Sequence, residues 1–455
     1  MLELTDKKGL SDALIGLASK IKEQIELALT NKSIKPENET FLHNTVTEFN
    51  YTEKGINYKG SSHYITKKTW YMTVSHIVKE VEKYKEYLLI VKNFNVQESD
   101  LNLFINKLVS YQLNNDDLNT ELIDKFVKLF IGSLLDEPLR CGADINLEGL
   151  FVIPKKIEFK IGDNLIILRQ TKISDLEKDI SMHDFLMYDK ATWTPSAILH
   201  LEFLGTEPRE IQNKVEQAIV ILRLFKVGSV KYMSYTMFSD SITPFGSGTV
   251  SHINKWYSSE KYSLYEKDAQ NLKNFWGDMI NFMPKSFYDD INSDTDYLTI
   301  SYKRYCDALI EIGTIEKRIA TTIMSFESLF LKKEEQQENT FRLKIRVSKL
   351  LGKYGFEPIK IKRIIRDAYS IRNFYVHGGM LSYEDKSELE HKYGNLNELL
   401  KIILDYLRIS ILIMIFIRKN KPEFIDSIDN SLIDIEKDSQ IENLLKNIKN
   451  LIPIN

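Results

Sequence analysis

Cysteine is scarce in this 455-residue chain: there are two, Cys141 and Cys306, too far apart for any metal or dithiol spacing. That argues against a disulfide scaffold, a zinc ribbon or a redox centre, and suits a reducing, cytoplasmic setting. No internal repeat or low-complexity tract interrupts the chain, which argues against a solenoid or a tethering segment. The most apolar run, Ile409 to Ile417, is bracketed by Arg408 and Arg418 and is too short to span a bilayer. It reads as the end of a buried helix, with a dimer seam as a second use. The N-terminal Met-Leu-Glu-Leu-Thr-Asp-Lys-Lys lacks the charged-then-apolar pattern of a signal peptide, so no membrane partner is expected. There is no Walker loop, no dinucleotide fingerprint and no His-Glu-x-x-His, and no cofactor or metal is expected.

What is present is a strong local charge asymmetry. The formal net charge is -3, yet between Phe341 and Arg372 there are ten Lys or Arg against two acids, Glu357 and Asp367. Such a segment is what a polyanion-binding face looks like. It reads as two helices. In the first, Leu343, Val347, Leu350 and Tyr354 recur at helical spacing, with Arg342, Arg346, Lys349 and Lys353 on a parallel stripe. Pro358 opens the second, which turns Ile361, Ile364, Ile365, Ala368, Ile371 and Tyr375 inward and stops at Gly378-Gly379.

The end of that second helix carries Arg372, Asn373 and His377. An imidazole can move the 2′-hydroxyl proton of RNA or protonate the leaving oxygen. A guanidinium can hold the scissile phosphate. Asn373 and His377, four apart, share a helix face, whereas Arg372 and His377 lie about 140° apart around the axis. One helix does not aim both at one point, so a composite pocket formed with a second protomer is expected, hence a two-fold homodimer. The bland alternative makes Arg372 and Asn373 solvated helix residues and His377 a partner of the helix dipole.

Arg-Asn-x-x-x-His closing a helix before glycine resembles the R-x4–6-H motif of the HEPN superfamily of ribonucleases. Ala320-Thr-Thr-Ile-Met-Ser-Phe-Glu327-Ser-Leu-Phe-Leu331 is similar to the glutamate-bearing helix of Apea-like HEPN proteins, and Tyr369 with Arg372-Asn373 also matches that pattern. The resemblance covers roughly residues 300–420, with a weaker likeness upstream around Ile161-Gly-Asp-Asn-Leu-Ile-Ile-Leu-Arg169. It implies a dimeric, metal-independent endoribonuclease in which Arg372 and His377 are catalytic and Asn373 positions them. Glu327 and Tyr369 would support them, while Arg342, Arg346, Lys349, Lys353 and Arg366 would bind RNA. By the same resemblance the setting is prokaryotic anti-phage defence by abortive infection. The substrate would be host RNA such as tRNA, and a phage-derived trigger would act through the N-terminal half. Gly379 stands where some antitoxin-paired toxins carry a modifiable tyrosine, so that subtype is not indicated.

Glu327 sits in an otherwise apolar helix segment, where an ionised carboxylate needs a partner. Arg372 and Arg346 are the candidates, with a solvent-facing glutamate as the equal alternative. Elsewhere, His200 and Glu202 share a strand face. A hydrogen-bonded strand histidine is preferred there to a metal pair, because no second cluster accompanies them. His183-Asp184 and the Gly246-Ser247-Gly248 turn carry no specific signal. A non-catalytic HEPN module that holds RNA or protein, and a metal-dependent nuclease in the N-terminal half, are the competing functions.

The expected fold class is α+β, with a mixed helical and strand-rich N-terminal region before an all-α helical bundle. The expected division is 1–135 mainly helical, 136–250 strand-rich and regulatory, 251–299 a helical connector, and 300–455 the bundle. Residues 1–32, Trp70 to Phe94 and Leu101 to Leu134 read as helical. Residues 40–68 read as short strands. Tyr302 to Leu331 reads as one long helix, Asn395 to Arg418 as another, and Ser431 to Ile452 as a closing helix rich in acids.

Overall fold

The computed structural model describes residues 6–115, 118–177, 195–241, 249–251, 261–289, 296–310, 313–335, 337–379, 381–417 and 420–454. The chain opens with α1 (Lys7–Thr30), β1 (Glu37–Thr52), β2 (Gly55–Thr69), α2 (Tyr71–Val81), α3 (Lys85–Phe94), α4 (Glu98–Asn115) and α5 (Thr120–Leu134). There follow β3 (Leu139–Glu148), β4 (Leu150–Val152), β5 (Lys156–Ile161), β6 (Asn164–Gln170), the short α6 (Ile173–Leu176), β7 (Ala197–Gly205), α7 (Pro208–Phe225), β8 (Lys231–Ser239), β9 (Thr249–Ser251) and β10 (Tyr262–Leu264). The remainder is helical: α8 (Ala269–Phe282), α9 (Tyr297–Ile310), α10 (Ile315–Phe330), α11 (Asn339–Tyr354), α12 (Pro358–Val376), α13 (Tyr383–Tyr393), α14 (Leu396–Ile417), α15 (Lys421–Asn430) and α16 (Ile435–Ile448). The fold class is α+β, with sheet in the N-terminal part and helices after it.

Two compact units are built from interleaved segments. The first comprises 1–146, 162–212 and 234–251; the second comprises 147–161, 213–233 and 252–455. In the first, Leu10, Leu14, Leu17, Ile21 and Ile25 of α1 are buried, as their spacing requires, in a core shared with α3, α4 and α5. Phe104 stacks on Phe130 there at 4.8 Å. Residues 40–68 are one continuous antiparallel ribbon rather than short strands, with an irregularity between Val46 and Glu48. Trp70 to Phe94 is two helices, α2 and α3, separated by a turn in which Tyr84 donates its amide to Val81. Strands β6, β7, β3, β8 and β9 are neighbours in that order in one sheet. The β3 strand has no counterpart in the sequence reading. Its inward residues begin with the small Cys141 and Ala143, which weaken the alternation signal.

The second unit is organised around α14. Sixteen of its residues are buried, including all of Ile409 to Phe416. That burial lies within the one chain and leaves the side chains from Ile409 to Phe416 covered by its own helices. Arg408 within it is fully buried and donates to Asp405 and to the carbonyls of Leu224, Phe225 and Pro453. Helices α9, α10, α12, α13 and α16 all pack on α14. The stretch read as one helix from Tyr302 to Leu331 divides into α9 and α10. Thr314 supplies the new N-cap by accepting from the Lys317 amide. The Gly379–Asn395 stretch, left unassigned from sequence, contains α13, which buries no residue of its own. The closing helix is shorter than its sequence pattern, running as α16 from Ile435 to Ile448. Among the described residues no helix is long and apolar enough to cross a membrane.

Candidate functional site

Helix α12 is held by burial of Ile361, Ile364, Ile365, Ala368 and Ile371, each Ile contributing roughly 1.5–3 kcal/mol of transfer free energy. Pro358 pre-sets its first turn. His377 is the C-cap, and Gly378, at φ +71°, makes the left-handed turn that ends the helix. The Gly379 amide then donates to the Phe374 carbonyl at 2.8 Å. This terminus leaves His377 exposed and Asn373 half-buried.

Helix α10 packs directly on α12 and brings Glu327 to Arg372. The Tyr369 hydroxyl donates to Glu327 Oε1 at 2.9 Å, and Arg372 Nη2 donates to Glu327 Oε2 at 3.2 Å. Of the two partners considered for Glu327, the structure selects Arg372. The guanidinium also donates from Nη1 to Asn373 Oδ1 at 3.2 Å and lies over the Tyr369 ring at 5.4 Å. Its Nε is buried without a partner among the described residues. Burial, and then the charge of Glu327, push the Tyr369 phenol above its ordinary value, so it stays a donor. Four of the five residues expected at the centre (Arg372, Asn373, Glu327 and Tyr369) form one hydrogen-bonded group. The His377 amide donates to the Asn373 carbonyl at 3.1 Å, but among the described residues no hydrogen bond or ion pair joins its side chain to Arg372.

The expected RNA-binding stripe on α11 is largely consumed within the chain. Arg346 is 1% exposed and donates to Glu335 (2.7 and 2.5 Å), Asp429 (2.8 and 2.7 Å) and the Phe330 carbonyl (2.7 Å). It is an internal cross-link, which corrects its expected role in holding RNA. Arg342 also pairs with Glu335, at 3.3 Å. Lys349 bonds Asp438 at 2.8 Å, and Lys353 bonds Asp438 at 2.6 Å and Glu442 at 3.3 Å. The stripe therefore faces the acids of α15 and α16. The hydrogen bonds from Arg346 hold the Glu335 carboxyl down at about 2, and those from Lys349 and Lys353 hold Asp438 below its ordinary range. Arg366 differs. It bonds Asp367 at 2.9 and 2.8 Å, but its side chain remains 56% exposed. Asp367 also accepts from Lys392 and Tyr393, tying the end of α13 to α12. Burial opposes the Asp367 charge, yet these bonds hold its carboxyl below the ordinary range.

In the first unit His200 Nδ1 lies 2.8 Å from Asp144 Oδ1, and Nε2 lies 3.7 Å from Glu202. The ring stacks on Phe238 with centroids 5.2 Å apart. The hydrogen bond to Asp144 raises the imidazole pKa. Sequence reasoning missed Asp144, since it lies on the unrecognised β3. Among the described residues no group of three His, Cys, Asp or Glu is placed to hold a metal ion. His183, Asp184 and Gly246 to Gly248 lie outside the described residues.

No family model, curated protein or solved structure matches the chain.

Proposed function

We propose that the chain is a HEPN-type, metal-independent endoribonuclease working as a homodimer. One observation carries this reading: Arg372 is anchored by Glu327 and Tyr369 at the end of α12, one turn from the exposed His377. A carboxylate behind an arginine fixes the fork of donors in place before substrate arrives, which is what electrostatic stabilisation of a charged transition state needs. Arg372 keeps part of its side chain in solvent, where an incoming phosphate would meet the guanidinium charge. His377 would act as general acid or base, and Asn373 would orient both groups.

Arg372 and His377 diverge on one helix, so the reacting pair would be completed by a second protomer. Tyr375, expected to turn inward, is instead exposed because α12 ends one turn past its last buried residue, Ile371, and with Val376 it is apolar surface suited to that contact. By the resemblance of these motifs the activity would belong to anti-phage defence, with host RNA such as tRNA as the substrate and the N-terminal half as regulator.

The test is incubation of purified protein with total tRNA in EDTA, comparing wild type with Arg372→Ala and His377→Ala. Cleavage by wild type alone is the expected result. Equal decay with all three proteins would sink the assignment, and loss of wild-type activity in EDTA would move the chemistry to a metal site. The divergence of Arg372 and His377 also favours a second reading, a module that holds RNA without cutting it. Under that reading His377→Ala leaves every function intact.

Glu327→Gln keeps a hydrogen-bonding group for Tyr369 but removes the charge that anchors Arg372. Cleavage is expected to fall about tenfold, since small misplacement of a catalytic group costs rates of that order or more. Thermal unfolding should barely move. A rate equal to wild type would show that Glu327 only fills space between α10 and α12.

A further inference from the structure

The α11 stripe is neutralised by the chain's own acids, yet the outer face of α12 is not. Lys362, Arg363, Arg366, Ser370, Phe374 and His377 are all exposed. From Arg363 onward they follow a three–four spacing, so with Asn373 they occupy an arc of about 100° on one side of the helix. Arg363 and His377 are about 21 Å apart along the axis at 1.5 Å per residue. Lys362 and Arg363 make no ion pair with a described residue, and Arg366 keeps more than half of its side chain in solvent. The acid within this stretch, Asp367, is buried beneath Lys392 and Tyr393. The α13 residue Glu388 acts on Arg366 and borders the face. Phe374 lies beside Asn373 at the His377 end of this face and is 41% exposed.

We infer that this face is a track for single-stranded RNA, with phosphates on Lys362, Arg363 and Arg366 and a base stacked on Phe374 next to His377. The inference rests on the ribonuclease reading and deepens it by naming the substrate form and the side of approach. The charge pattern asks for a polyanion. A face one helix wide with an aromatic at its end suits a strand whose bases are free to stack, which a duplex does not offer.

The experiment is fluorescence anisotropy with a short single-stranded 2′-O-methyl RNA, which keeps phosphates and bases but lacks the attacking hydroxyl. Lys362→Glu with Arg363→Glu should weaken binding by about tenfold or more and make the log–log salt slope shallower by about 1.4, at roughly 0.7 per lost phosphate contact. Phe374→Ala should weaken it about tenfold, and Phe374→Trp should restore it. Lys437→Glu, a reversal on the exposed surface of α16, should leave affinity unchanged.

The track falls if the double reversal leaves affinity intact, if Lys437→Glu weakens binding equally, or if a hairpin duplex of the same charge binds as tightly. It falls also if Phe374→Ala alters the sedimentation of the protein and not its RNA affinity, which would give the patch to a second copy of the chain. The two readings separate cleanly. Wild type that binds the strand through this face but cuts no RNA retains the track and loses the ribonuclease. Wild type that cuts RNA, with both variants matching it in affinity and rate, retains the ribonuclease and loses the track.

Discussion

His377→Ala should lower RNA cleavage by about a hundredfold to ten-thousandfold, the range over which a positioned acid or base contributes. His377 is exposed and buries nothing that the fold needs, so the unfolding transition should stay where it is. Single-turnover cleavage of a labelled RNA reads the effect free of product release. Mixing protomers sharpens it. Suppose Arg372 of one copy works with His377 of the other. Then Arg372→Ala and His377→Ala proteins, each inactive alone, rebuild one intact site in every heterodimer. A 1:1 mixture that exchanges subunits freely should recover about a quarter of wild-type activity, because half the dimers are mixed and each has one good site of two. No recovery in a mixture shown to exchange would place the pair within one protomer, against the 140° divergence on α12, or remove it from the chemistry.

Arg346→Ala should strongly destabilise the helical unit, costing about 3–5 kcal/mol. The side chain is buried and carries five hydrogen bonds to Glu335, Asp429 and the Phe330 carbonyl. Its removal leaves two carboxylates without their shared partner. Denaturant unfolding followed by circular dichroism measures this. An RNA-binding role alone would predict weaker RNA affinity with unchanged unfolding.

The same cluster makes a pH prediction. Glu335 has its folded pKa depressed to about 2 from an ordinary 4.5. Its contribution is therefore complete above about pH 5 and is lost as the pH falls through 4.5 toward 2, amounting to about 3 kcal/mol. Arg346→Ala should flatten the acid dependence of stability in that window. A slope unchanged from wild type would mean that another carboxylate governs acid unfolding.

Much of the candidate site was legible because it depends on local chemistry. The stop at Gly378-Gly379 follows from the left-handed turn that glycine takes without penalty, and the φ of Gly378 confirms it. The shared face of Asn373 and His377 follows from helical pitch. The demand of Glu327 for a partner follows from the cost of a carboxylate among apolar neighbours, and Arg372 meets it.

Other features were not local. The break between α9 and α10 lies inside an apolar pattern that runs on through Gly313 and Thr314, so periodicity alone carried the helix across it. Helix α13 has no buried face and therefore no hydrophobic period to detect. Beyond its packing on α14, it is tied to α12 through Asp367, whose partners Lys392 and Tyr393 lie 25 and 26 residues downstream.

The basic segment shows the division most clearly. Sequence by itself determined that residues 341–372 carry a large positive excess, that two amphipathic helices hold it, and that the second ends on Arg372, Asn373 and His377. Only the tertiary structure decided which of those charges remain available. Arg346 meets Asp429 across 83 residues of chain, and Lys353 meets Asp438 across 85. Charge belongs to a residue and is read from its letter. Whether that charge faces solvent or an acid depends on helices packed from distant parts of the chain, and the packing of α15 and α16 beside α11 brings those acids to its cations. On the outer face of α12, Lys362 and Arg363 meet no such partner among the described residues and Arg366 stays more than half exposed, which is why accessible positive charge lies there.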